Sequence, residues 1–508
     1  VRHGSYDFSF KSYFDGIGAS GFFLRGPELL PQQDDLSAMD RFRVWVEDIR
    51  DRAAERVRGV IGGPEGEIAA ALVVGVRAGI PEDINEAMRR SGIYHIISIS
   101  GLHMALVAGT VMGTLRALFA VFPGFASRHP IKKYAAAMAL AGIAFYLFIS
   151  GAEVAAQRSF IMLAIMLVAL LFDRAALTMR NLAISAIIVI AVAPHEVIGP
   201  SFQMSFAATA ALVGAYALWS ERRRSGMRAA GERSKTGLAV GKLWGLVVGL
   251  AVTSVVAGLA TAAFGAYHFQ RVSPLSLLAN LAVMPVVSLV VMPFGVAGSI
   301  AMPLGLDGPF FMVMGKGLGL MIALSKWFSD RTPIDAVGLV SVHSIAFLTV
   351  ALILATMATT WLRLAALPFV LIGLLTLADV RTPDALVSED GRLLAMAIGD
   401  GRLAVSRARP NEFTMENWQR ALRAEAIVKP EKAADDTTLA GEIADLSPGA
   451  GFVCGKDICT ARHPSGALLA LAATVEAARS MCGKATLIVL ADSTARNTCR
   501  GGSARVIT

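Results

Sequence analysis

Seven polar side chains interrupt or open segments that are otherwise apolar: Ser100, His103, Glu153, Arg158, Gln203, Ser205 and Asn280. Polar and ionisable groups are expensive in hydrocarbon, so they face a bundle interior or a water-filled path. His103 closes GIYHIISISGLH, just after Ser98, Ser100 and Gly101. It is either satisfied by a neighbouring helix or lines such a path. Gly109 and Gly113 follow at the GxxxG spacing that permits close helix contact. In SGAEVAAQRS, Glu153 and Gln157 share one helix face and Arg158 opens the next apolar run. Glu153 could pair with Arg158 and anchor the turn, or reach a polar path. Gln203 and Ser205 lie in GPSFQMSF. Asn280 lies in RVSPLSLLANLAVMP, five residues before Pro285, where it either bonds carbonyls freed by the proline or lines a pore.

Catalysis of the soluble kinds finds no residues to carry it. None of the eight histidines (3, 95, 103, 129, 195, 268, 343 and 463) is spaced as H-x-H or H-E-x-x-H. No P-loop is present. Residues 381–508 hold only His463, which cannot build a zinc or two-metal hydrolase site. We therefore expect no enzymatic activity, no catalytic residues, no metal and no cofactor. All four cysteines, Cys454, Cys459, Cys482 and Cys499, fall in the last 60 residues. Cys454 and Cys459 are close enough in sequence to pair, as are Cys482 and Cys499, although spacing alone does not determine connectivity. Pairing would suit an oxidising exterior.

The elements that hold the polar residues must be membrane helices. Of 508 residues, 55% are hydrophobic and 17% charged, with mean hydropathy +0.58. Soluble proteins carry about 25% charge, and single cores stop growing near about 250–300 residues. A soluble enzyme, a disordered chain and a fibrous protein are excluded. The apolar region runs from 96 to 379 and divides into about ten spans: 96–121, 134–151, 158–172, 181–193, 204–219, 243–264, 275–304, 310–328, 338–357 and 361–379. Segment 181–193 is short. Segment 275–304 contains Pro285, Pro293 and Pro303 and reads as one kinked helix or two half-helices. The fold class expected is an all-α polytopic bundle with a small α/β or α+β soluble domain at 381–508. There, 393–397, 403–406 and 485–490 read as strands, and 413–424 and 466–481 as helices.

Before the spans, residues 1–40 read as a β-rich or irregular remnant, rich in Gly and Phe. Residues 41–95 read as amphipathic interfacial helices: Phe42, Trp45, Val46 and Ile49 recur at helical spacing opposite six arginines. The first residue is Val and no signal peptide is visible, so a missing N-terminal part is expected. The net charge is +8. Loops 122–133, 173–180 and 220–242 carry twelve Lys and Arg, whereas loops 152–157, 194–203 and 265–274 carry only Arg271. The positive-inside rule puts the first set in the cytoplasm and residues 1–95 outside. If 275–304 crosses once, the chain beyond 379 is also outside.

Four motifs in one order, GIYHIISISGLHMALVAG, SGAEVAAQRSFIMLAIML, APHEVIGPSFQMSFAATAAL and RVSPLSLLANLAVMPVVSLVVMPFG, resemble the ComEC family of inner-membrane DNA-uptake channels. The resemblance covers residues ~66–330. Residues 1–40 look like the tail of that family's OB-like periplasmic domain. Residues 381–508 occupy the place of its metallo-β-lactamase-like domain without the histidine-rich metal motif, as a degenerate or cut-off form would. The resemblance implies a multi-pass bacterial inner-membrane channel passing single-stranded DNA into the cytoplasm in natural transformation. It also implies membrane lipids around it, a periplasmic DNA receptor and a cytoplasmic DNA motor or DNA-binding proteins as partners, and a possible homo-oligomer. Ser100, His103, Glu153, Arg158, Gln203, Ser205 and Asn280 would then line the DNA path. Glu153 suits a polyanion path only if Arg158 or another base neutralises it. Hydropathy alone also fits a polytopic transporter or permease for a small solute or lipid.

Overall fold

In lipid every backbone N–H and C=O must be satisfied within the segment, so apolar runs of this length form helices. The computed structural model describes residues 8–14, 16–19, 21, 26, 37–226, 235–332, 336–358, 360–377, 379–380, 382–433, 446–492, 499 and 504–507. It is mostly helical, and among the described residues the strands lie in the C-terminal region. The expectation for residues 1–40 falls largely outside the described residues; within them Phe8–Phe14 is helix α1.

Helix α2 (Ala38–Ile61) starts where Ser37 Oγ accepts the Asp40 N–H at 3.2 Å. Ala53, Ala54 and Val57 are buried, while Phe42 and Trp45 are exposed, with the Phe42 ring edge-on to Phe148 of the bundle. Helix α3 (Gly63–Val74) opens on Pro64 and is capped by Gly75 at φ 81°. Its Ile68, Ala69, Ala70, Ala71, Leu72 and Val74 are all buried, so it is a core helix where the sequence pattern pointed to an interfacial one. Helix α4 (Glu82–Arg90) has acids in its first turn and arginines in its last, in keeping with the helix dipole.

Seven helices among the described residues are long and apolar enough to cross a membrane. They are α5 (Gly101–Ala120), α7 (Ile131–Ile149), α8 (Val154–Leu171), the Pro200–Ser220 part of α10 (Pro200–Gly226), the Ala251–Phe269 part of α11 (Lys235–Phe269), the run Ser276–Leu304, and α14 (Gly308–Arg331). The short α6 (Pro123–Arg128) joins α5 to α7. Three further expected spans form shorter apolar helices: α9 (Met179–Val192), α15 (Val342–Met357) and Trp361–Leu375, which ends in α16 (Ala366–Leu375). The expectation of about ten spans thus reduces to seven of crossing length plus three short ones.

The run Ser276–Leu304 is one helical rod. It comprises α12 (Ser276–Val286), a π-helical turn at Val287–Val291 and α13 (Met292–Ala301). Pro285 removes one backbone donor, and the wider turn follows directly, absorbing the mismatch. Helix α14 packs back against the rod through glycines. A Cβ on Gly298 would stand 2.8 Å from the Phe311 ring, and one on Gly317 3.0 Å from Val291. The main core joins α3, α4, the start of α5, α7 and this hairpin through residues such as Ile68, Leu72, Met88, Ile96, Met104, Ile143, Val287, Phe311 and Leu318.

The C-terminal region has two sheets. The first has order β1 (Ala385–Val387), β2 (Leu394–Ala397), β3 (Arg402–Val405), β4 (Ala426–Val428), antiparallel except for β3–β4. It is covered by α17 (Glu412–Leu422), which buries Met415 and Trp418. The second has β5 (Glu431–Lys432), β6 (Val453–Cys454), β7 (Ile458–Arg462), β8 (Leu468–Ala472), β9 (Leu487–Leu490) and β10 (Arg505–Ile507) as sequential neighbours, with β8, β9 and β10 parallel. The expected helix 466–481 divides into β8, every residue of which is buried, and α18 (Val475–Ser480). A short fully buried apolar run has no period that separates helix from strand. Disulfides join Cys454 to Cys459, which face each other across β6 and β7, and Cys482 to Cys499. The region docks on the membrane part through Leu339 N–H to Ala421 O (3.2 Å) and Arg423 Nη2 to Val337 O (2.6 Å).

Candidate functional site

The polar residues each lie at or within about two turns of the N-terminal end of a membrane helix, α5, α8, α10 or α12. Gly101, at the start of α5, lets α8 approach until Ser159 Oγ would be 3.7 Å from a Cβ at that position. Arg158 of α8 donates from Nη2 to Ser201 Oγ at the start of α10 (2.7 Å). The N-termini of α5, α8 and α10 therefore converge. Gly92, at φ +77°, brings the chain before α5 against Ser273 and Ser276 at the start of α12. Helix N-termini carry partial positive charge and unpaired N–H groups, so their convergence favours anions.

His103 is fully buried. Its Nδ1 accepts the Ser100 N–H at 3.2 Å and lies 3.1 Å from Ser100 Oγ. A backbone N–H can only donate, so the ring proton belongs on Nε2, which has no hydrogen-bond partner among the described residues. Arg158 is 5% exposed, and its Nε and Nη1 likewise have no partner there. Gln203 Oε1 accepts from His268 Nε2 of α11 (2.8 Å), and its Nε2 donates to Val197 O (3.2 Å). Ser205 Oγ is 3.9 Å from Met162 Sδ. Asn280 Nδ2 donates to Ser276 O within its own helix (2.8 Å), one turn N-terminal to it and away from the carbonyls next to Pro285.

Glu153 pairs with Arg77, from the loop after α3, and not with Arg158. Gln157 turns instead to Ala152 O (2.6 Å). The Arg77 partner comes from a loop 76 residues upstream, which no local pattern could reveal. Ser201 and His268 were also missed as partners. Ser201 lies one turn before Ser205, a spacing that would have placed both on one face of α10. A second group of ion pairs straps α4 down: Glu86 with Arg271 (2.8 Å) and Asp83 with Lys326 (2.9 Å). Hydrogen bonding from Lys326 holds the Asp83 carboxyl below its ordinary range. A Cβ added at Gly109 or Gly113 would meet nothing within 4 Å, so their GxxxG face makes no close helix contact among the described residues.

Comparison with known proteins places this architecture. The chain is 21% identical over 327 residues to ComE operon protein 3 of Bacillus subtilis (strain 168), an alignment covering 63% of this chain and 38% of that protein. It is 32% identical over 161 residues to Competence protein ComA of Neisseria gonorrhoeae, covering 31% of this chain and 23% of that protein. The chain thus spans well under half the length of either relative. No solved structure matches it. The family model described as Competence protein matches residues 72–364, a stretch that runs from α3 to the helix after α15 and contains all seven polar positions. That match takes in more than half of the chain, and the protein belongs to the Competence protein family.

Proposed function

We propose that the protein is a channel of the bacterial inner membrane that passes a single DNA strand into the cytoplasm during natural transformation. The observation that carries this reading is the polar group at the converging N-termini of α5, α8 and α10, three of the membrane-crossing helices of a Competence-family chain. A strand with one negative charge per nucleotide needs a wet path with donors and few free carboxylates. His103 and Arg158 supply buried donors, and Arg77 neutralises Glu153, which would otherwise repel the strand. In this reading a periplasmic receptor delivers DNA, and a cytoplasmic motor or DNA-binding protein draws it inward. Residues 1–40 are the tail of an OB-like domain, and residues 381–508 are a degenerate metallo-β-lactamase-like domain without nuclease activity.

The test is complementation of a null strain with labelled DNA, scoring internalised strand and membrane-inserted protein in the same cells. The wild-type chain should restore uptake. His103→Leu and Asn280→Leu should insert normally while uptake falls. Among the described residues the Asn280 side chain bonds only a carbonyl of its own helix, so its replacement costs little stability. Restoration by neither wild-type chain nor variants, with protein present in the membrane, rejects the channel. Full uptake with a leucine variant removes that residue from the path.

A further inference from the structure

We infer that Arg158 and Ser201 form a phosphodiester-binding site at the outer mouth of the bundle, an inference that rests on the channel reading above. Arg158 sits in the second turn of α8, deep enough to be 5% exposed, and spends one of its five N–H groups on Ser201 Oγ at 2.7 Å. Its Nε and Nη1 face no acceptor among the described residues. No carboxylate lies within 4 Å of it there. Glu196, on the turn before α10, acts on Arg158 electrostatically without reaching it, and its carboxylate lies 3.8 Å from His195 Nε2. A buried guanidinium with unmet donors and no ion pair is costly in a membrane helix unless an anion visits it.

The surrounding chemistry specifies which anion. The donors are a planar fork, one hydroxyl and the N-termini of two long helices, α8 and α10. A fork of this kind matches two oxygens on one tetrahedral or planar anion. Ser201 and the helix ends add hydrogen bonds without adding charge. A single positive charge with several donors suits a monoanionic phosphodiester, the repeating unit of a DNA strand. Because only backbone chemistry is read, the site would grip every nucleotide alike, as a path for any sequence requires. Phospholipid headgroups are also phosphodiesters, and the test must separate the two.

The full chain is reconstituted in nanodiscs of zwitterionic lipid and, separately, of zwitterionic lipid with phosphatidylglycerol. Binding of a single-stranded oligonucleotide is measured against the same sequence with an uncharged methylphosphonate backbone. Wild type should bind the natural strand and not the uncharged one. Arg158→Met should weaken binding about tenfold or more, and should reduce the slope of log affinity against log salt by about 0.7. Arg158→Lys keeps the charge without the fork and should give an intermediate loss. If Arg158→Met fails to accumulate, Arg158→Lys carries the test. Affinity and salt slope equal to wild type in the variant that folds overturn the assignment. So does a variant that loses bound phospholipid while still binding the strand normally. A wild-type chain that neither binds strand nor restores uptake rejects the channel itself, and this site with it.

Discussion

Replacing Gly92 by alanine tests whether the loop before α5 positions the polar group. Gly92 has φ +77°, where an L residue pays roughly 1–2 kcal/mol. Its Cβ would stand 2.5 Å from Ser276 Cβ and 3.0 Å from Ser273 Cβ, an overlap that forces backbone movement at a cost of roughly 1–3 kcal/mol. Ser273 is itself fixed by its Oγ donating to Arg90 O at 2.7 Å, so it has little freedom to yield. Restricting the unfolded chain returns roughly 0.4–1 kcal/mol. The net destabilisation is about 1–5 kcal/mol. Gly109 provides the matched control. It lies inside α5 with nothing within 4 Å of an added Cβ, so alanine there should stabilise by roughly 0.5–1 kcal/mol. The assay is thermal unfolding of the detergent-solubilised chain, followed by the loss of its monodisperse peak on size exclusion. Gly92→Ala should lower the midpoint by several degrees, and Gly109→Ala should hold or raise it. A Gly92→Ala chain as stable as wild type would refute the packing of this loop on α12. A destabilised Gly109→Ala would show that α5 uses its GxxxG face against a partner outside the chain.

Three further outcomes are expected. The Asp307 carboxylate is fully buried and receives hydrogen bonds from Arg56 Nε (3.0 Å) and Nη2 (3.1 Å), which hold its pKa below the ordinary 3.8 despite desolvation. A depressed folded pKa stabilises above the unfolded value and is lost as pH falls through the folded one. Thermal stability should therefore be level from pH 7 to 5 and fall below about pH 4; Asp307→Asn should remove that part of the fall, and an unchanged acid profile would refute it. Cysteine placed at exposed Ser127 should be shielded from an impermeant reagent in intact cells, while one at exposed Asp400 should react. Docking of the C-terminal region on residues 337–339 ties it to the chain that follows α14, and the hairpin of Ser276–Leu304 with α14 leaves that side unchanged whether it crosses twice or not at all. Reversed labelling would sink the topology. Finally, the full chain should cut no single-stranded DNA with Mn²⁺; cleavage that a chelator abolishes, and that truncation after residue 380 removes, would contradict the degenerate reading of the C-terminal domain.

Composition and hydropathy alone determined that this is a membrane protein of many helices, because no soluble core could absorb so much apolar surface. Motif order pointed to the family, and residue type marked His103 and Arg158 as costly in lipid. Local signals also located β2, β3, β9 and α17 closely. Partnership was a different matter. Glu153 chose Arg77 over Arg158, Gln203 met His268 65 residues away, and α3 became buried core although its neighbours in sequence are strongly charged. Each outcome depends on which helices lie side by side, a long-range property that no window of sequence contains. The same holds for β8, where LLALA is equally apolar on every side and only the flanking strands β7 and β9 select the extended form. Glycine shows the division most plainly. Gly92, Gly109 and Gly298 are identical letters, yet serine side chains, open space and a phenyl ring stand where their missing Cβ atoms would be, and only tertiary packing decides which.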